Sequence, residues 1–208
     1  MKLTIVKEGL QIGIPLLILS GIIAVFSFKI GVIILVLSLG IMAFFRDPQR
    51  EPKVQDNQFI SPADGKVVDI TEVYEDKYLK TKVQRIGIFL SVFDVHINYA
   101  PCDGTVEFFE YNKGQFKNAM LKAASEVNEN NFIGIAGKKT KLAIKQIAGL
   151  IARRVVFYPS KDSPIEAGKK IGLIKFSSRV EIFLPLDTKI HVKIGDKVKG
   201  ALTILGEI

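Results

Sequence analysis

The chain has 208 residues, 48% of them apolar, and a formal net charge of +8. That length suits one domain plus an appendage. Its one cysteine, Cys102, excludes an internal disulfide and a multi-cysteine metal site, and two histidines, His96 and His191, argue against a histidine-rich zinc centre, so no metal is expected. A basic balance fits either nucleic acid or an anionic membrane surface. The apolar excess is concentrated in the first 45 residues, which favours the membrane and leaves nucleic acid without support.

Residues Gly9 to Phe28 are apolar apart from Gln11, Ser20 and Ser27, and a second apolar run extends from Ile30 to Phe45. At about 1.5 Å per residue the first run is long enough for a hydrocarbon core of about 30 Å, and the second falls a little short. The pattern predicts a membrane-anchoring hairpin of two helices over residues 1–46, spanning or re-entrant, with Lys29 at the turn, where its ammonium group can snorkel. A cleaved signal peptide fits less well, because no small-x-small site follows and the second apolar run continues into Phe44-Phe45-Arg46-Asp47-Pro48. Lys2 and Lys7 precede the hairpin while Arg46 and Arg50 follow it. Basic flanks at both ends predict that both face the cytoplasm, with the rest of the chain on that side of the cell (inner) membrane.

A polar linker, Arg46–Asn57, carries two prolines and leads into a second part, residues 47–208. Its signals are those of β structure: Gly65–Ile70, Ile86–Val92 and Gly104–Phe108, introduced by Asp-Gly turns at Asp64-Gly65 and Asp103-Gly104. Ala119–Asn130 reads as a short helix or a loop, and Lys141–Phe157 as a strand broken at Gly149. The tail alternates turns and short strands, around Glu166–Gly172 and Lys193–Gly200. The expected fold is a β-rich α+β domain of mixed β-sheets behind a hydrophobic helical hairpin.

The most specific segment is Gly172-Leu173-Ile174-Lys175-Phe176-Ser177-Ser178-Arg179-Val180-Glu181-Ile182-Phe183-Leu184-Pro185, an apolar strand pattern interrupted by two serines. Three others accompany it: Ser61-Pro62-Ala63-Asp64-Gly65-Lys66-Val67 after the Phe44–Pro48 segment, Phe89 to Pro101 with Asp94 and His96, and Gln146 to Val155. Taken alone, Asp64 is a turn residue, His96 a satisfied half-buried histidine and Ser178 a small strand residue. Together and in this order, the segments resemble the short bacterial or archaeal type of phosphatidylserine decarboxylase proenzyme, a pyruvoyl-dependent family of phospholipid biosynthesis.

The resemblance implies an enzyme that turns phosphatidylserine into phosphatidylethanolamine. It maps an Asp-His-Ser processing triad onto Asp64, His96 and Ser178. A serine hydroxyl is a weak nucleophile until a base takes its proton, and histidine oriented by a carboxylate is suited to that task. Ser178 would attack the carbonyl carbon of Ser177, converting the amide to an ester. Elimination would free chain 1–177 and leave chain 178–208 blocked by a pyruvoyl group made from Ser178, the two chains staying associated. That group is the covalent cofactor and serves as the electron sink for decarboxylation, and His96 is the candidate acid that returns a proton. The family also implies a homo-oligomer.

Three positions depart from the family pattern. Ser177 stands where glycine is usual, Tyr99 where arginine is common, and Asn130 replaces the arginine of an Asn-Glu-Arg-Asn motif. Lys113, Lys117 and Arg153 are candidate substitutes for the lost cations. The serine at 177 keeps a second reading open, a processing-deficient homologue. A third is a lipoyl- or biotinyl-like membrane adaptor, suggested by His191–Gly200, although no lysine here is flanked by methionine.

Overall fold

The computed structural model describes residues 3–121, 123–150, 155–175 and 178–208. They form two compact units, Met1–Gln49 and Arg50–Ile208.

The first unit contains β1 (Leu3–Ile5), α1 (Lys7–Phe26), α2 (Phe28–Phe44) and β2 (Arg46–Pro48), with β1 and β2 paired antiparallel. Both helices are apolar around their whole circumference, as expected of helices surrounded by lipid. The 20 residues of α1 are long and apolar enough to cross a membrane, whereas α2 has 17. The helices separate at Ser27, whose N–H donates to the Ile23 carbonyl at 2.8 Å. Lys29, expected at the turn, instead lies in the first turn of α2. Small residues let the helices approach: a Cβ on Gly13 would collide with Met42, and one on Gly31 with Ala24. The buried Ser38 hydroxyl donates to the Gly13 carbonyl at 2.8 Å, a polar tie between two apolar helices.

The second unit opens with β3 (Gln58–Ile60), β4 (Gly65–Glu75), β5 (Thr81–Leu90), β6 (Ile97–Tyr99) and β7 (Gly104–Asn112). After the one-turn helix α3 (Ala124–Val127) come β8 (Asn130–Gly137), β9 (Lys141–Ile147), β10 (Val155–Phe157) and β11 (Pro164–Ile165). The chain ends with β12 (Lys170–Ile174), β13 (Ser178–Pro185), β14 (Lys189–Ile190), β15 (Lys197–Val198) and β16 (Ile204–Glu207). Eight strands form one sheet in the order β11-β7-β8-β9-β13-β5-β4-β15, accompanied by the three-stranded sheets β10-β12-β6 and β14-β16-β3. The ladders between these strands are all antiparallel, and Gln115–Asn128 is an isolated parallel bridge.

Side chains alternate across the large sheet with period two. On one face Ile86, Ile88 and Leu90 of β5 pack with Val180, Ile182 and Leu184 of β13, Leu142 and Ile144 of β9, and Ile133 and Ile135 of β8. On the other, Val83, Phe132, Ala143 and Phe183 form a smaller cluster. Ile182 is fully buried at the centre of the larger core. Ile182→Ala should lower stability by about 2–5 kcal/mol, from lost apolar burial plus the cavity left behind. Chemical denaturation in detergent, with the change in midpoint as readout, checks this.

Candidate active site

Strand register brings the sequence-predicted residues to one end of the large sheet. Ser178 is the first residue of β13 and lies opposite Leu90, the last residue of β5. On the far side of β5, Lys66 pairs with Phe89, which sets the Asp64-Gly65 turn beside the same strand end. Gly65 has φ +151°, and a Cβ there would strike the Phe89 carbonyl, so the turn requires glycine. The chain leaving β5 turns through Ser91–Asp94 and returns as His96 and β6. The His96 carbonyl accepts from the N–H of Ile174, four residues before Ser178, and the Tyr99 N–H donates to the Pro62 carbonyl, two residues before Asp64.

Ser178 is completely buried, and among the described residues its hydroxyl has no hydrogen-bond partner. By strand alternation it points to the same face as Val180 and Ile182, into the larger core. A buried hydroxyl without a partner forgoes roughly 1–3 kcal/mol, so a purely structural position would more economically hold alanine.

His96 is 3% exposed, and its Nδ1 lies 2.9 Å from the Asp94 carbonyl oxygen. A carbonyl only accepts, so Nδ1 carries a proton, and in the neutral ring Nε2 is then the basic nitrogen. The Asp94 carboxylate in turn accepts from the Ser91 N–H at 2.8 Å and the Ser91 hydroxyl at 2.7 Å, which fixes the turn.

The carboxylate of Asp64, the first member of the expected triad, meets Arg50 and Gly200. Arg50 Nη1 and Nη2 donate to its two oxygens at 2.5 and 2.8 Å, and the Gly200 N–H donates to Oδ1 at 2.8 Å. The Arg50 guanidinium carbon also lies 5.2 Å from the centre of the Tyr99 ring. A bidentate, largely buried pair of this kind fixes geometry firmly. Arg50 therefore brings a cation against the Tyr99 ring.

Several groups escaped the sequence reading. Arg179, adjacent to Ser178, is 1% exposed, with Nε donating to Glu181 at 2.8 Å and Nη2 to Asp69 at 3.2 Å. Arg85 joins at 2.6 Å to Asp69, and the Ser125 hydroxyl donates to Glu181 at 2.7 Å. Gly87 makes room for the guanidinium, since a Cβ there would collide with it. Burial pulls the Lys145 ammonium pKa below its ordinary value, and its Nζ donates to the Ser125 carbonyl at 2.6 Å. A buried amide ladder reaches the histidine strand from the other direction. The Asn131 amide donates to Gln146 at 3.1 Å, and the Gln146 amide to Asn98 at 2.7 Å. Asn131 and Glu129 also form the polar wall of an open cavity of about 640 Å³ lined by Phe109, Tyr111 and Val155–Phe157. The Asn130 amide donates to the Asn128 carbonyl at 2.8 Å.

Ser177, Phe176 and Arg153 lie outside the described residues. Lys113 and Lys117 are exposed beside the loop that precedes α3. Among the described residues no cluster of three or more histidine, cysteine or acidic side chains forms a metal site. Cys102 is buried, and burial, aided by the Asp103 charge, pushes its thiol up to about 12. At roughly pH 8 only a minute fraction is thiolate, the reactive form. Maleimide should therefore label Cys102 far faster in urea-unfolded than in native protein, and equal rates by mass spectrometry would contradict this account.

Comparison with known proteins gives a consistent answer. A family model described as phosphatidylserine decarboxylase matches residues 37–206. A phosphatidylserine decarboxylase proenzyme of Carboxydothermus hydrogenoformans is 40% identical over 207 residues, covering 99% of this chain and 97% of that relative. Its counterpart in Symbiobacterium thermophilum is 36% identical over 205 residues, covering 98% and 95%. That of Ralstonia pickettii is 42% identical over 174 residues, covering 83% and 80%. With matches over nearly its whole length, this chain belongs to the phosphatidylserine decarboxylase family.

Proposed function

We propose that this protein is a self-processing, membrane-associated decarboxylase that converts phosphatidylserine to phosphatidylethanolamine. The observation that carries the proposal is the buried hydroxyl of Ser178, without a partner among the described residues, at the strand end it shares with the oriented His96.

In this reading His96 Nε2 accepts the Ser178 proton as its Oγ attacks the Ser177 carbonyl carbon. The C–N bond between the two residues breaks, the nitrogen leaves on the Ser178 side, and residue 177 becomes an ester acyl group. β-Elimination releases residues 1–177 with a free carboxylate, and hydrolysis of the resulting dehydroalanine expels ammonia and leaves a ketone at position 178. The residues present suit such a group: it would occupy a buried strand end whose hydroxyl makes no hydrogen bond with a described residue. When formed, the pyruvoyl group supplies an electron sink for the bond to the departing carboxylate. His96 then holds the proton to be returned to the product carbon. Asp64 acts at one remove. It fixes Arg50 and the Pro62–Gly65 turn against the β6 backbone, and so positions the histidine strand. Arg179, locked on the opposite face, keeps the peptide at Ser178 from twisting. Lys7 and Arg46 flank the helical hairpin, which supports a cytoplasmic orientation for the catalytic unit.

The intact mass of detergent-purified protein tests the chemistry. Two chains divided between Ser177 and Ser178, the smaller blocked at its N-terminus, are expected, while Ser178→Ala should remain one chain of 23.1 kDa. An uncleaved unmutated protein would instead identify an inactive relative in which Ser177 has stopped maturation. His96→Ala should slow cleavage by about 100-fold or more, the usual contribution of a general base. Asp64→Asn and Arg50→Gln should each slow it less. The double variant should be little worse than either alone, since the two residues act as one pair.

A further inference from the structure

We infer that the rim around Ser178 is a lipid-docking surface, by which the catalytic unit itself dips apolar side chains into a bilayer bearing anionic lipid. The inference rests on the assignment of Ser178 as the reacting residue and adds an interaction surface to it.

Both strands flanking the start of β13 end there, β5 at Leu90 and β9 at Ile147. Each runs into a loop with exposed apolar side chains. After β5, Ser91–Asp94 is a tight turn closed by the Asp94 N–H on the Ser91 carbonyl at 3.0 Å. Its two central residues are Val92, 39% exposed, and Phe93, 82% exposed. Turn centres favour glycine, proline, asparagine and aspartate for conformational reasons, so a Val-Phe tip is not explained by turn chemistry. After β9 comes Leu150, 65% exposed. A third tip arrives from the loop before α3. Asn118 accepts from the Met120 N–H through its side chain and from the Leu121 N–H through its carbonyl, leaving Met120 and Leu121 more than half exposed. The Asn128 amide donates to the carbonyls of both Lys117 and Ala148, which fastens this loop to the end of β9.

Among the described residues, five exposed apolar side chains thus stand on three loops at the sheet end where β13 begins. Exposed Lys113 and Lys117 flank the third loop. Apolar tips beside lysines suit an anionic lipid surface, in which the apolar groups enter the acyl boundary and the ammonium groups meet the headgroups. A lipid substrate gives this arrangement a purpose: the headgroup must reach a buried residue while the acyl chains stay in apolar surroundings.

The chain contains no tryptophan, so one introduced indole reports without background. Phe93→Trp and Leu121→Trp are made in the full-length protein. Tyr74→Trp is the control: Tyr74 is 64% exposed and pairs with Lys82 at the opposite end of the β4–β5 ladder. The proteins are reconstituted into phosphatidylcholine–phosphatidylglycerol vesicles with brominated acyl chains. The rim variants should show blue-shifted emission quenched at least twofold by the bromolipid, and the control should not. Water-like, unquenched emission from both rim variants would overturn the inference. Blue-shifted but unquenched emission would overturn it as well, because protein rather than lipid would then cover the rim.

A second readout uses Phe93→Ser combined with Leu121→Ser. Decarboxylation of bilayer phosphatidylserine should fall at least tenfold, while turnover of dispersed short-chain phosphatidylserine and cleavage into two chains are retained. Equal rates on both substrates, unchanged or lowered together, would overturn the proposal. Quenching does not depend on cleavage and can be repeated in Ser178→Ala protein. A failure of the pyruvoyl chemistry is therefore distinguishable from a failure of the docking surface.

Discussion

Everything around the candidate site depends on β13 being hydrogen-bonded along both edges. Its partners β5 and β9 fix the height of Ser178 in the sheet, and strand alternation then decides which way its hydroxyl points. A central strand cannot slip by one residue without turning Val180, Ile182 and Leu184 out of the core, so the register at Ser178 is enforced by apolar burial several residues away. The position of the Ser178 hydroxyl is in this sense a consequence of hydrophobic packing.

The reverse face uses charge for the same end. Arg179 and Glu181 are buried next to Asp69, and each would be costly alone. Paired through several short contacts, they satisfy one another and leave little freedom to the strand that carries them. Apolar packing on one face and a closed ionic network on the other hold the same short segment. The Arg50–Asp64–Gly200 contacts perform a similar service for the Pro62–Gly65 turn, and the Asp94 carboxylate for the turn before His96.

Much of this was legible in the sequence because it rests on local chemistry. The Asp64-Gly65 and Asp103-Gly104 turns, the helical hairpin and the β-rich character follow from turn residues and apolar periodicity. The segments containing Asp64, His96 and Ser178 stood out by resemblance, and register brings them to one sheet end. Other features were illegible because they depend on long-range partners. The alternation Ser-Arg-Val-Glu-Ile carries no local sign of what pairs with its charges; Arg179 and Glu181 are buried because Arg179 meets Asp69, 110 positions earlier in the chain. Opposite charges two residues apart in an otherwise apolar strand were the available signal. Arg50 looked like a membrane flank until its bidentate grip on Asp64 was visible. The helix break fell at Ser27 rather than Lys29, because backbone geometry ends α1 before the charge is reached.

The segment from Ser178 to the C-terminus is interwoven with the rest of its unit. β13 lies between β5 and β9, β15 extends the same sheet beside β4, and β16 pairs with β3 in another. A chain cut before Ser178 would keep its last 31 residues threaded through two sheets. The strands must be woven before the cut, since nothing in such a fragment could find three separate berths afterwards at comparable speed. Under the proposed chemistry, the reactive group can therefore arise only in a chain that has already folded. Maturation then serves as a checkpoint: a misassembled copy stays chemically inert, and activity certifies architecture.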